Sequence, residues 1–151
     1  MKKSILLIGA ITVCIVLSLS GYVVGTITHN EVSREIRFGY QHSEQANRVD
    51  YPHVFTDVEN QTIVDNLMMT YLHKEKIESA NVNVEEPDLY MSVGSPKQSV
   101  ILINARIWFS TDGAIVGERR GESWDEVAFY RMDERDARYI MDTIEYEESN
   151  Q

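Results

Sequence analysis

Hydrophobic and polar positions follow three different periods along this chain. From Ile5 to Gly25 the sequence is almost unbroken apolar, interrupted only by Thr12, Ser18 and Ser20, and it carries no charge. At about 1.5 Å of rise per helical residue, such a stretch is roughly 31 Å long, about the thickness of a bilayer's hydrocarbon core. A helical period returns after Tyr51-Pro52: Ile63, Val64, Leu67, Met68, Tyr71 and Leu72 recur at i, i+1, i+4, i+5, i+8, i+9. Thr56-Asp57-Val58-Glu59 ahead of them has capping-box spacing. The period then falls to two. Val82 and Val84 alternate with polar residues, Leu89, Met91 and Val93 do the same, and Pro87 separates the two short runs. Ser99 to Ser110 places Ile101, Ile103, Ala105, Ile107 and Phe109 on one face of a strand. Thr111-Asp112-Gly113 predicts a tight hairpin turn, followed by a strand over 114–116, a connection over 117–122 and a last strand from Trp124 to Met132. Asp133 then caps a helix bearing Ala137, Ile140, Met141 and Ile144 on one stripe, with Glu134 placed to pair with Arg138 four residues on.

These elements predict an α+β chain: an N-terminal transmembrane helix, then a small two-layer sandwich. Its antiparallel sheet of three to four strands is covered by two helices, in the order α-β-β-β-β-α. The implied organisation is a cytoplasmic N-terminus over 1–4, a signal anchor over 5–25, a juxtamembrane stalk over 26–52, an exported domain over 53–147 and a disordered acidic tail over 148–151. Val32 and Ile36, four apart, suggest that the first helix runs on until Gly39 stops it.

Lys2 and Lys3 lie before the apolar run, so the positive-inside bias keeps the N-terminus cytoplasmic and sends the remainder across the membrane. Ser18-Leu19-Ser20 offers a signal-peptidase site before Gly21 and hence a secreted alternative, although Tyr22-Val23-Val24 prolongs the run past it. Cys14 is the chain's one cysteine. A bulky Val13 before it is a poor lipoprotein signal, and a small hydrophobe inside an apolar helix describes it better. An exported portion without cysteine forms no internal disulfide, so a hydrophobic core must stabilise it.

Residues 26–151 hold 12 Lys+Arg against all 24 acidic residues, a formal charge of −12. Such a surface repels nucleic acid, which is excluded as a partner, and suits basic proteins, peptides or cations. Catalytic chemistry finds no support. His29, His42, His53 and His73 have no ligand spacing, so no metal site is expected. No calcium loop, phosphate-binding loop, dinucleotide fingerprint or G-x-S-x-G is present, and no cofactor is implied. Asp125 and Glu126 are adjacent, which on a strand points them to opposite faces. The expectation is that the chain is not an enzyme. Asn60-Gln61-Thr62 matches a glycosylation sequon, a match too short to carry weight.

Two features suggest a protein-binding surface. Tyr90, Arg106, Trp108 and Tyr130 are expected on the sheet face away from the helices, and these residue types dominate interfaces. Arg119 and Arg120 form a basic tip between Gly117 and Gly121. The expected function is therefore a single-pass membrane protein, in contact with the bilayer through residues 5–25. Its extracytoplasmic acidic domain would bind an envelope or extracellular protein as an accessory, inhibitor or immunity-like factor. An extracytoplasmic small-molecule or cation sensor is the alternative.

Overall fold

The computed structural model describes residues 2–29, 31–45 and 48–146, and within the first of these spans side chains only for Gly9 and residues 11–25. The acidic tail expected over 148–151 lies outside the described residues. The chain divides into two units, Met1–Glu31 and Val32–Gln151.

The first unit is helix α1, Lys2–His29. Among the described residues no helix is long and apolar enough to cross a membrane, which corrects the expected transmembrane helix.

The second unit is built on a sheet of seven antiparallel strands, which corrects the expected three or four. The elements are β1 Glu35–Gln41, β2 Val49–Thr56, α2 Gln61–Leu72, β3 Glu75–Ile77, β4 Leu89–Ser95, β5 Val100–Ser110, β6 Gly113–Arg119, β7 Val127–Met132 and α3 Glu134–Thr143. Their order across the sheet is β2-β1-β4-β5-β6-β7-β3. β1 and the first half of β2 come from the segment expected to be a stalk, residues 26–52. In β1, Ile36, Phe38 and Tyr40 alternate with Arg37 and Gly39, a strand period hidden by the helical spacing of Val32 and Ile36. β2 contains Pro52, tolerated because β2 is an edge strand and the β1–β2 register slips there, between Phe38 and Tyr40. At this bulge a side chain on Gly39 would come within 2.2 Å of the Asp50 carbonyl oxygen. Gly39 therefore admits a close strand crossing; it does not end a helix. The expected strand over Val82 and Val84 is instead part of a loop, residues 78–88, between β3 and β4.

One face of the sheet carries the core. Ile36 and Phe38 of β1, Met91 and Val93 of β4, Ala105 and Ile107 of β5, and Val116 of β6 are buried with Val64, Leu67 and Tyr71 of α2 and Ala137, Ile140 and Ile144 beyond and within α3. Tyr146 extends this layer past α3, its ring 4.9 Å from Phe109 and 6.4 Å from Tyr40 between centroids. The capping box works differently from its expectation: the Thr56 hydroxyl accepts the Glu59 N–H at 3.2 Å, but closes a turn, and α2 begins only at Gln61. At α3 the sequence expectation holds, since Asp133 accepts the Asp136 N–H at 2.8 Å and Glu134 meets Arg138 at 2.5 Å.

Candidate functional site

Strand register determines where the expected interface residues lie. Tyr90 pairs with Arg106, Arg106 with Gly117, and Gly117 with Phe129. These four form a row across β4–β7 on the face away from the helices, because their neighbours Met91, Ala105 and Val116 face the core. Trp108 lies two residues further along β5 on the same face. Tyr130 pairs with core-facing Val116 and so belongs to the helix side. The sequence placed three of the four on the correct face and Tyr130 on the wrong one.

None of those three is an open surface. Tyr90, Arg106 and Trp108 are each only 8% exposed. Their cover is the 78–88 loop, which crosses this face as a strap. The Trp108 indole N–H donates to the Asn83 and Glu86 carbonyls, both at 3.0 Å. An Arg106 Nη1 group donates to the Val84 carbonyl at 2.5 Å and stands 3.5 Å from a Glu85 carboxylate oxygen. Asp88 accepts the Phe109 backbone N–H at 2.7 Å. The guanidinium lies 4.0 Å from the Trp124 ring centroid and 5.6 Å from that of Tyr90, while its Nε is buried without a partner. Gly117 makes room for this arrangement: a Cβ there would meet two Trp108 ring carbons at 3.0 and 3.1 Å. These side chains hold the chain's own loop in place, a second small core on the far face of the sheet.

On the helix side, a polar cluster surrounds Glu118. Its carboxylate accepts the Tyr71 hydroxyl at 2.9 Å and lies 3.7 Å from Lys74 Nζ and 3.8 Å from Arg120. Lys74 Nζ sits over the rings of Tyr71 at 3.5 Å and Tyr130 at 4.5 Å. Burial pushes the Tyr71 hydroxyl far above the ordinary phenol range, and the neighbouring Glu118 charge adds to it. Burial holds the Lys74 ammonium below its ordinary value, opposed by Glu118. Arg120 donates to the Tyr130 hydroxyl at 2.6 Å, a contact that raises its affinity for its proton further. The sequence pointed to Arg120 and Tyr130 separately; Tyr71, Lys74 and Glu118, 47 residues apart at the extremes, come together only in the fold.

Arg120 also lines an open groove of about 760 Å³ with Lys76, Ile77, Glu78, Asp125, Glu126 and Val127–Phe129. Its geometry follows from strand lengths. β3 pairs with β7 only at Phe129, Tyr130 and Arg131. β7 starts two residues earlier, so Val127 and Ala128 pair with β6 but have no strand on their outer side among the described residues. The Arg120 N–H bonds the Glu126 carbonyl at 2.8 Å and closes the 120–126 loop beside this gap. Arg119 donates to the Glu122 carbonyl of the same loop at 3.5 Å.

Elsewhere, His73 Nδ1 meets Asp136 at 3.0 Å where the end of α2 reaches the first turn of α3, a contact that joins the two helix termini. Among the described residues no three His, Cys, Asp or Glu side chains are grouped to hold a metal ion. Neither a family model, nor a curated protein, nor a solved structure matches this chain.

Proposed function

We propose that this chain is a binding protein, not an enzyme, which associates with a membrane through residues 5–25 and engages another protein at the outer edge of β7. The observation that carries the reading is the edge at Val127 and Ala128, which has no outer strand among the described residues and lines an open groove. An extended segment of a partner laid there would continue the line of β3 and pair with backbone groups that β3 leaves free, the logic of strand addition. Lys76 and Arg120 with Glu78, Asp125 and Glu126 give the groove charges of both signs. Its binding would therefore weaken as salt rises. The membrane part of the reading rests on the sequence, an uncharged stretch from Ile5 to Gly25 behind Lys2 and Lys3.

A photo-crosslinking residue at Glu78, which is exposed in the groove, tests the binding site in membranes from cells producing the full chain. The expected result is a discrete crosslinked product that fades with salt and is lost in Arg120→Glu. The reading fails if position 78 gives no product, or the same products as a crosslinker at Asp112 in the distant β5–β6 turn. Flotation of the full chain with lipid vesicles tests the location: the chain rises with the lipid. A soluble product beginning at Gly21 would make it a secreted protein.

A further inference from the structure

β3 stops where its register would allow it to continue. Glu75, Lys76 and Ile77 pair with Arg131, Tyr130 and Phe129. The same register sets Glu78 opposite Ala128 and Ser79 opposite Val127, the two β7 residues with no outer strand among the described residues. The bond from the Arg120 N–H to the Glu126 carbonyl fixes the alternation along β7. Glu126 and Ala128 turn their backbone groups toward β6, so Val127 turns its N–H and C=O outward. Ser79 is the chain's own complement for those two groups. The backbone instead bends at Glu78 and enters the strap.

The strap's fastening opposes the missing pairing. Ser79 beside Val127 would share a row with Arg119, whereas Trp108 shares a row with Ile115, Arg131 and Glu75. Trp108, whose indole holds Asn83, thus stands three strands across and four residues along from that place, roughly 20 Å. Four residues from Ser79 to Asn83 span at most about 14 Å, so the pairing would draw the strap nearly straight. From Ile77, where β3 now ends, six residues span up to about 21 Å and leave it slack.

We infer that the strap governs access to the β7 edge. Fastened, it draws residues 78 and 79 off β7 and leaves Val127 open to a partner strand. Unfastened, it lets β3 lengthen to Ser79 and cover the edge with the chain's own backbone. The inference rests on strand addition at this edge and supplies its regulation. Two features keep the two states within reach of each other. The fastening is incomplete, since Arg106 Nε is buried without a partner, a cost that only the fastened state bears. The pairing it prevents is only two residues long. Residues 78–79 and a partner compete for the same groups, so loosening the strap lowers the partner's apparent affinity by the fraction of chains left open.

The test uses the full chain carrying Cys14→Ser, Glu78→Cys and Ala128→Cys, in membranes from cells producing it. In the lengthened strand, positions 78 and 128 form a non-hydrogen-bonded pair with Cα atoms about 4.5 Å apart, within disulfide reach. Reduced chains are given oxidised glutathione and disulfide formation is timed. The strap is either intact or loosened by Trp108→Phe or, separately, by Arg106→Met, which drops the Val84 bond. The expected result is disulfide formation at least tenfold faster in both loosened chains. A control pair, Glu78→Cys with Glu126→Cys, is two residues out of register and should gain no such speed. A photo-crosslinker at Asp125, which lines the groove, should capture the partner from the dithiol chain and not from the disulfide-bonded one. Equal rates with and without the fastening, or equal acceleration of the control pair, overturn the inference while strand addition stands. Equal capture by the dithiol and disulfide chains overturns the inference and strand addition together. If neither the parent at position 78 nor the dithiol chain captures a partner, both readings fall.

Discussion

Replacing Trp108 by Phe isolates what holds the strap. The indole N–H donates to both the Asn83 and the Glu86 carbonyls, and phenylalanine keeps a ring over Gly117 while removing that donor. The Asn83 carbonyl keeps the Glu86 N–H, and taking the indole donor from the Glu86 carbonyl costs about 1–3 kcal/mol. The smaller ring packs less well against Gly117 and against Phe129, whose ring centroid is 6.5 Å away. That loss adds about 1 kcal/mol. The expected destabilisation is therefore about 2–4 kcal/mol, and it falls first on the strap. Within residues 78–88 the backbone bond from the Glu86 N–H to the Asn83 carbonyl is the local reporter. Every ~1.4 kcal/mol of local opening speeds amide exchange about tenfold, so the Glu86 amide should exchange at least tenfold faster in the variant. Hydrogen exchange of the full chain, read by mass spectrometry or NMR, measures this, and urea unfolding supplies the global value. Unchanged Glu86 exchange together with an unchanged urea midpoint would refute the claim that Trp108 fastens the strap.

Three further outcomes follow from the same structure. Gly117→Ala should cost about 1–3 kcal/mol in urea unfolding, because its Cβ would press on Trp108 and on Val127 Cγ1 at 3.0–3.1 Å. Asp133→Ala should cost about 1 kcal/mol by removing the acceptor for the Asp136 N–H, while Asp133→Asn retains most of the stability. The Tyr71 hydroxyl, held by burial above its unfolded value of 10.0, contributes stability that is fully present below pH 10 and is lost as pH rises beyond it. Urea midpoints measured from pH 9 upward should therefore fall, and Tyr71→Phe should flatten that fall; a variant with the same slope as the parent would contradict the assignment.

How much of this was legible in the chain depended on whether local period and tertiary position agreed. In α3 they agreed: cap, stripe and ion pair all lie on neighbouring residues, and each is present. The β5–β6 hairpin was likewise readable from Asp112-Gly113. β1 was not, because Val32 and Ile36 imitate a helical step while the strand alternation begins only at Glu35. β2 was obscured by Pro52, which signals a break unless one knows that it falls at a bulge on the sheet's edge. β3, three residues long with only Ile77 partly buried, carries no pattern that a sequence could display. The site was misjudged for a related reason. Tyr90, Arg106 and Trp108 have the composition of an interface, but the chain supplies its own cover from a loop some 20 residues earlier than Arg106 and Trp108. The open β7 edge could not be seen at all, since it is a difference between the lengths of two strands that are 50 residues apart.

That edge is the centre of the functional account, and amide exchange at Val127 and Ala128 tests it most directly. In the free full chain the outward-pointing amide of this pair should exchange at near-unprotected rates, while Phe129 to Arg131 are protected by β3 and β6. Adding the partner captured from position 78 should then protect it. An outward amide already protected in the free chain, or one indifferent to that partner, would contradict strand addition at this edge.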